Sequence, residues 1–255
     1  MEGEKGKIFV IGGTSFIASW LIMRLLQQGY IVHTTIRTHP EQKRDISFLT
    51  RLPRATERLK IFIVDLEDPN SFDIAIEGCK RVFHLATPMD LKDGEPSEVV
   101  TDGAINGTLG ILKACLKIKR VRQVVYTSSA SSIFASNKCN EVELLESMSM
   151  ALALVYGKSE EYIHLLNASM VHVDDVAMAQ IFLLEQDDDM VSGRYICSSH
   201  TIMLVELSQV LSTRYPEFVI PSLDSLAKVQ SFKLAGVEEL LDDAIKCCEE
   251  KGHLK

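Results

Sequence analysis

Long apolar runs are missing from this chain. No stretch of about 18 or more apolar residues occurs, so no membrane-spanning helix is expected. Basic charge is also scarce. Lysine and arginine number 27 against 35 aspartates and glutamates, a formal net charge of −8, which argues against a general nucleic-acid binder. The one basic cluster, Lys117, Lys119, Arg120 and Arg122, reads as a solvated helix end. The six cysteines (Cys79, Cys115, Cys139, Cys197, Cys247 and Cys248) show no metal-ligand spacing, so no metal is expected. They read as reduced thiols. The charged opening MEGEKGK carries no visible secretion signal, and the expectation is a cytoplasmic protein. Repeats and low-complexity tracts are absent too. What is present is ordinary globular composition, 46% hydrophobic and 24% charged over 255 residues, enough for one large domain or a core with a smaller lobe.

The stretch from Lys7 to Gly29 organises the rest. Ile8 to Ile11 reads as a buried strand, Gly12-Gly13-Thr14-Ser15 as a tight turn, and Phe16 to Leu26 as a mostly buried helix stopped at Gly29. Strand, glycine turn and helix begin a dinucleotide-binding unit. The turn lets a pyrophosphate approach the backbone, and the helix start offers free N–H groups and a positive dipole end. The plain alternative is an ordinary strand-to-helix turn.

Strands are then expected at Ile31–Ile36, Leu59–Val64, Arg81–Ala86 and Gln123–Ser128. Helices are expected at Gln42–Leu52, Pro69–Gly78 and Ser97–Ile118. Such alternation predicts an α/β fold, a Rossmann-type doubly wound parallel sheet. After Ser132 the alternation fades. Ser147–Tyr156 reads as helical, Met170–Val173 as extended, and Asp174 as the cap of a helix through Glu185. Arg194–Cys197 reads as a strand, with helices at Leu204–Arg214 and Val237–Lys251. Residues 1–132 are expected to form the nucleotide-binding core and 133–255 a smaller C-terminal lobe.

A dinucleotide site that takes NAD usually ends its second strand on an acid. Here that strand ends at Arg37, with Lys43 and Arg44 close behind, which suits the 2′-phosphate of NADP(H). An exposed arginine after a strand is the other reading. Asp65, ending the third strand, is placed either to accept from an adenine amino group or to cap a turn. His84 reads as a satisfied core histidine, and His172 and Asp175 as structural. Asn106 reads equally as a supporting polar group or a solvated position.

Several longer stretches carry a resemblance. GGTSFIASWLIMRLLQQGY, VDLEDPNSFDIAIEGCKRVFHLATPMD, NGTLGILKAC, VVYTSSA, MVHVDDVAMAQIFLLE and GRYICSSH resemble the plant dihydroflavonol-reductase-like branch of the extended short-chain dehydrogenase/reductases. The likeness runs nearly end to end. It implies an NADPH-dependent reductase of a small phenolic ketone or related carbonyl. It assigns Gly12, Gly13 and Ser15, with Phe16 and Ile17 opening the helix, to the phosphate turn. Arg37 and Arg44 go to the 2′-phosphate, Asp65 and Leu66 to the adenine, Ala86 and Thr87 to the cofactor's flank, and Ser129 to the catalytic serine. No nucleic acid or membrane partner is implied, and a monomer is expected.

The chain departs from that family at two points. The family protonates the carbonyl with a tyrosine and a lysine spaced Tyr-x-x-x-Lys, which places both on one helix face. Here the residues four beyond the six tyrosines are Thr34, Ala130, Glu160, Leu166, Ser199 and Val219. The segment carrying the pair reads as absent at a joint near Glu146–Ser147, with a smaller joint near Val237–Glu238. The second departure is Ser15, where the family has glycine. A side chain there is expected to crowd the pyrophosphate, and to be strained if the position needs positive φ. Three functions follow: an active reductase, a silent nucleotide-binding or regulatory protein, or a truncated splice product that folds poorly.

Overall fold

A computed structural model describes residues 5–36, 45–64, 71–86, 97–129, 152–159, 162, 165, 168–186, 192–222 and 226. By contact the chain divides into two units. One is Met1–Asn140 with Val171–Cys197; the other is Glu141–Met170 with Ser198–Lys255. Val171–Cys197 thus lies with the first unit although it follows residue 132.

The first unit is built on strands β1 (Lys7–Ile11), β2 (Ile31–Ile36), β3 (Leu59–Ile63), β4 (Arg81–His84) and β5 (Gln123–Tyr126). Every pairing is parallel and the order is β3-β2-β1-β4-β5. That order is the doubly wound arrangement, whose direction reverses between β1 and β4. Both sheet faces are covered, which is why β1 is apolar throughout. Ile8 and Val10 point into one core with α1 (Phe16–Gln27); Phe9 and Ile11 point into the other. The second core also takes Phe72, Ala75 and Ile76 of α4 (Phe72–Ile76), and Ile111, Ala114 and Cys115 of α5 (Ser97–Ile118). A single turn, α2 (Ser47–Thr50), stands where a helix over Gln42–Leu52 was expected, with residues 42–44 outside the described set, and a second turn, α3 (Ala55–Arg58), follows beyond it. Helix α4 is likewise shorter than Pro69–Gly78, of which 69 and 70 lie outside the described residues.

The second unit holds α6 (Ala153–Tyr156), β6 (Ala168–Met170), β7 (His200–Ile202) and α8 (Leu204–Arg214). Strands β6 and β7 pair antiparallel. The expected strand Arg194–Cys197 is instead irregular and exposed, and the pairing strand lies three residues further on. The expected extended piece at Met170–Val173 ends at Met170. The expected helix over Ser147–Tyr156 is described only as α6, and Val237–Lys251 lies outside the described residues.

Helix α7 (Val173–Glu185) returns to the first unit and lies on α1. Its N-cap is His172, whose Nδ1 accepts the Asp174 N–H at 3.2 Å; Asp174 is therefore not the cap. The Asp174 carboxylate instead takes both guanidinium arms of Arg24 at 2.5 Å and the Trp20 indole N–H at 2.8 Å. These donors hold the carboxyl down at about 2. At the far end of α7, Glu185 accepts from Tyr30 and pairs with Lys5. Burial, then the Glu185 bond, pushes the Tyr30 hydroxyl up to about 12. Cys79 and Cys115 are free, buried thiols, pushed up by burial to about 12 and 11, and so are chemically quiet.

Candidate dinucleotide site

The turn after β1 is shaped by close approach on both sides. Gly12 has φ +86°, and a Cβ on it would meet Ala86 at 3.0–3.1 Å. A Cβ on Gly13 would stand 2.2 Å from Thr34 Oγ1. A side chain at Gly12 would be strained and would press on Ala86, and one at Gly13 would force Thr34 to move. Two threonines of β2 fix the turn. Gly12 N–H donates to Thr35 Oγ1 at 3.1 Å, and Gly13 N–H to Thr35 O at 2.9 Å. Thr34 Oγ1 donates to Val10 O at 2.8 Å, which locks the rotamer that faces Gly13. Thr34 and Thr35 were not foreseen as site residues. Two successive hydroxyls inside a buried β-branched strand were the available signal.

Ser15 caps α1. Its N–H donates to Gly12 O at 3.0 Å and its Oγ accepts from Ala18 N–H at 3.3 Å. Its φ is −75° with ψ 155°, ordinary extended backbone, so the expected strain at this position does not occur. Serine is here an N-cap of the usual kind. The amides of Thr14, Phe16 and Ile17 find no acceptor among the described residues. Free amides at the start of a twelve-residue helix, with its positive dipole end, suit an anion.

The site's other expected members follow the carboxyl ends of the strands. Arg37 and Arg44, Lys43, Asp65 and Leu66, and Thr87 lie outside the described residues. Ala86 is described and borders Gly12. Ser129 is exposed, three residues past β5. Just before it, Thr127 N–H donates to His84 O at 3.0 Å, and Thr127 Oγ1 accepts from Gln180 of α7 at 2.8 Å. These bonds anchor the strand end that carries Ser129.

His84 ends β4 and is 3% exposed. It is buried as expected, but among the described residues neither ring nitrogen has a hydrogen-bond partner. Its ring packs edge-on against Tyr126 at 5.1 Å. Burial lowers its pKa from 6.5, so the ring is neutral near pH 7. Asn106 is exposed on α5. Tyr156 and Lys158 belong to the second unit, where Gly157 (φ +69°) ends α6 between them. They do not form one helix face.

Residues 9–183 match the model of the 3-beta hydroxysteroid dehydrogenase/isomerase family. Vestitone reductase of Medicago sativa is 38% identical, with all of both chains covered. That alignment runs over 329 positions, more than the 255 residues here, so it includes positions where the relative has a residue and this chain has none. The crystal structure of vestitone reductase from alfalfa superposes with a TM-score of 0.68 at 35% identity, covering 98% of this chain and 100% of that one. Dihydroflavonol 4-reductase of Zea mays is 31% identical over 98% of this chain and 90% of its own length. At fold level, Gre2 of Candida albicans in complex with NADPH gives a TM-score of 0.61 at 19% identity, covering 91% of this chain and 95% of that one. No helix among the described residues is long and apolar enough to cross a membrane.

Proposed function

The chain belongs to the 3-beta hydroxysteroid dehydrogenase/isomerase family, and from that premise we propose that it binds NADP(H) along the carboxyl edge of the five-stranded sheet and receives a small phenolic ketone beside Ser129. The glycine turn carries the reading. A Cβ would crowd Ala86 at Gly12, which has φ +86°, and collide with Thr34 at Gly13, and three amides around the start of α1 find no acceptor among the described residues, as a pyrophosphate site requires. Arg37 directly follows β2, and with Lys43 and Arg44 it gives the cationic stretch that a 2′-phosphate needs. Asp65 and Leu66, past β3, border the adenine; Ala86 and Thr87, past β4, flank the cofactor. When bound, the cofactor supplies the hydride. The Ser129 hydroxyl would hold the oxygen of the carbonyl, whose carbon accepts that hydride.

A second reading is a dinucleotide binder without turnover, and one observation favours it: no tyrosine in the sequence has a lysine four residues on. A positioned general acid contributes about 10²–10⁴-fold. Loss of the lysine also removes a grip on the nicotinamide ribose, so proximity suffers as well. Calorimetry with NADPH and NADH tests the binding claim. NADPH is expected to bind more tightly, and Arg37→Ala to weaken NADPH alone; equal affinities would sink it. NADPH oxidation with a flavonoid-type ketone then separates the two readings. No turnover above background is expected from the chain as it stands. Turnover is expected once a Tyr-x-x-x-Lys helix and its following strand are inserted between Glu146 and Ser147. Robust turnover by the unaltered chain would mean that another acid has taken the role.

A further inference from the structure

The amino ends of β1, β4 and β5 bring three cations together on one face of the sheet. Lys80 N–H donates to Lys7 O at 3.4 Å and Arg122 N–H to Lys80 O at 2.8 Å, so the three residues are neighbours across adjacent strands. Two positions further on, Phe9 and Val82 lie in the core under α4 and α5, and Val124 packs against it. Residues two apart share a face, so Lys7, Lys80 and Arg122 stand at the rim of that core, about 5 Å apart from strand to strand. Like charges side by side across strands are destabilising. The opposite face treats its cation differently: Arg81 donates to Gln123 Oε1 at 3.2 Å and to Gln186 O at 3.5 Å.

The connection from α5 to β5 adds two more cations. Lys119 and Arg120 are exposed, and Ile118 and Val121 on either side of them pack against the same core. Lys119 has φ +51°, a left-handed backbone that glycine or asparagine adopts at less cost. A helix C-terminus attracts cations, but the last turn of α5 already has Lys117, which Asp73 of α4 holds. Glu77, after α4, is exposed, and Lys7 Nζ reaches its main-chain carbonyl, at 3.4 Å. In a chain of net charge −8 this rim is a concentration of positive charge that folding alone does not call for.

We propose that the rim, at the end of the strands opposite the glycine turn, binds a compact soluble anion that carries two or three linked phosphates. The row Lys7–Lys80–Arg122 spans about 10 Å across three strands, a length that a linear di- or triphosphate covers. Lys119 and Arg120 flank it. A single phosphate answers only part of the row, and a long nucleic acid is opposed by the net charge of the whole chain. One bound polyphosphate turns three mutually repelling cations into donors to a common acceptor.

Inorganic triphosphate is the probe, titrated into the full chain by calorimetry at low ionic strength. Binding of one equivalent is expected, with a melting temperature that rises as triphosphate is added. Lys119→Gln/Arg120→Gln should weaken binding roughly tenfold, and Lys80→Glu by at least as much, with NADPH affinity unchanged in both. Lys80→Glu should also raise the melting temperature of the free protein, because it sets an anion between Lys7 and Arg122. The variants alter different elements, so misfolding of one leaves the other as the test. No binding of triphosphate overturns the proposal. Undiminished binding by both variants does so too, since the anion would then sit in the glycine turn. Equal affinity for orthophosphate at matched ionic strength, or binding confined to vesicles containing phosphatidylinositol 4-phosphate, overturns it as well.

Discussion

Replacing Gly13 with alanine adds one methyl group where the chain has least room. The new Cβ would stand 2.2 Å from Thr34 Oγ1, 3.1 Å from its Cγ2 and 3.2 Å from its Cβ. Thr34 cannot turn aside. Its side chain is fully buried, it is β-branched, and turning its hydroxyl breaks the 2.8 Å bond to Val10 O. Overpacking of this kind costs about 1–3 kcal/mol, and the lost hydrogen bond about 1 kcal/mol more. The sum, about 2–4 kcal/mol, should lower the melting temperature by roughly 4–16 °C in a domain of this size. Thr34→Ala removes both atoms nearest the new methyl and leaves contacts of 3.2 Å or more. The two substitutions should therefore couple strongly: Gly13→Ala/Thr34→Ala should lose less stability than the two single changes added together. Denaturant unfolding of the four proteins in the cycle measures the coupling. A melting temperature for Gly13→Ala within a degree of the parent would refute the argument, as would strictly additive effects.

Two further outcomes follow from the charges. The folded-state pKa of Asp174 lies below its ordinary 3.8, so its contribution to stability is present above that value and is lost as pH falls toward about 2. Asp174→Asn should flatten unfolding curves between pH 4 and pH 2 relative to the parent, and parallel acid profiles would count against the Arg24 contact. His84 is shifted the other way for a base: buried, it resists protonation, so the unfolded chain binds more protons below about pH 6.5 and stability falls as the pH is lowered through that range. His33, also lowered by burial, acts in the same direction. His84→Leu removes two nitrogens that lack partners among the described residues and should raise stability by about 1–2 kcal/mol while weakening the acid sensitivity; a lower melting temperature would show that the ring's packing on Tyr126 matters more.

The parallel sheet was readable because its strands are short apolar runs bounded by turn residues, and because β1, the glycine pair and α1 follow one another without interruption. The expected bounds of β2 and α5 match the structure residue for residue. Misreadings came where a distant partner decides. Asp174 has the composition of an N-cap, yet Arg24 and Trp20, 150 and 154 residues away, take its carboxylate and leave His172 to cap. Arg194–Cys197 has strand-forming residues, but β6 pairs with His200–Ile202 instead. Ser15 looked costly because the turn around it favours glycine; its own dihedrals could be known only from the backbone. The threonines behind the glycines escaped notice because a hydroxyl on a buried strand is read as tolerated polarity rather than as the fixing point of a turn.

The contact between α1 and α7 has a consequence for how the molecule is made. Arg24 meets a residue 150 positions later, and one face of the sheet is finished only by Ala177, Ile181 and Leu184. On a ribosome adding about 5–20 residues per second, that face waits on the order of ten to thirty seconds for its cover. Throughout that interval β1, β2 and α1 present an unfinished apolar surface, while the chain detours through Glu141–Met170 in the second unit before returning. Nascent chains of this protein should therefore be chaperone clients until residue 185 clears the exit tunnel, and a stalled chain ending before Val173 should be captured or degraded rather than stored.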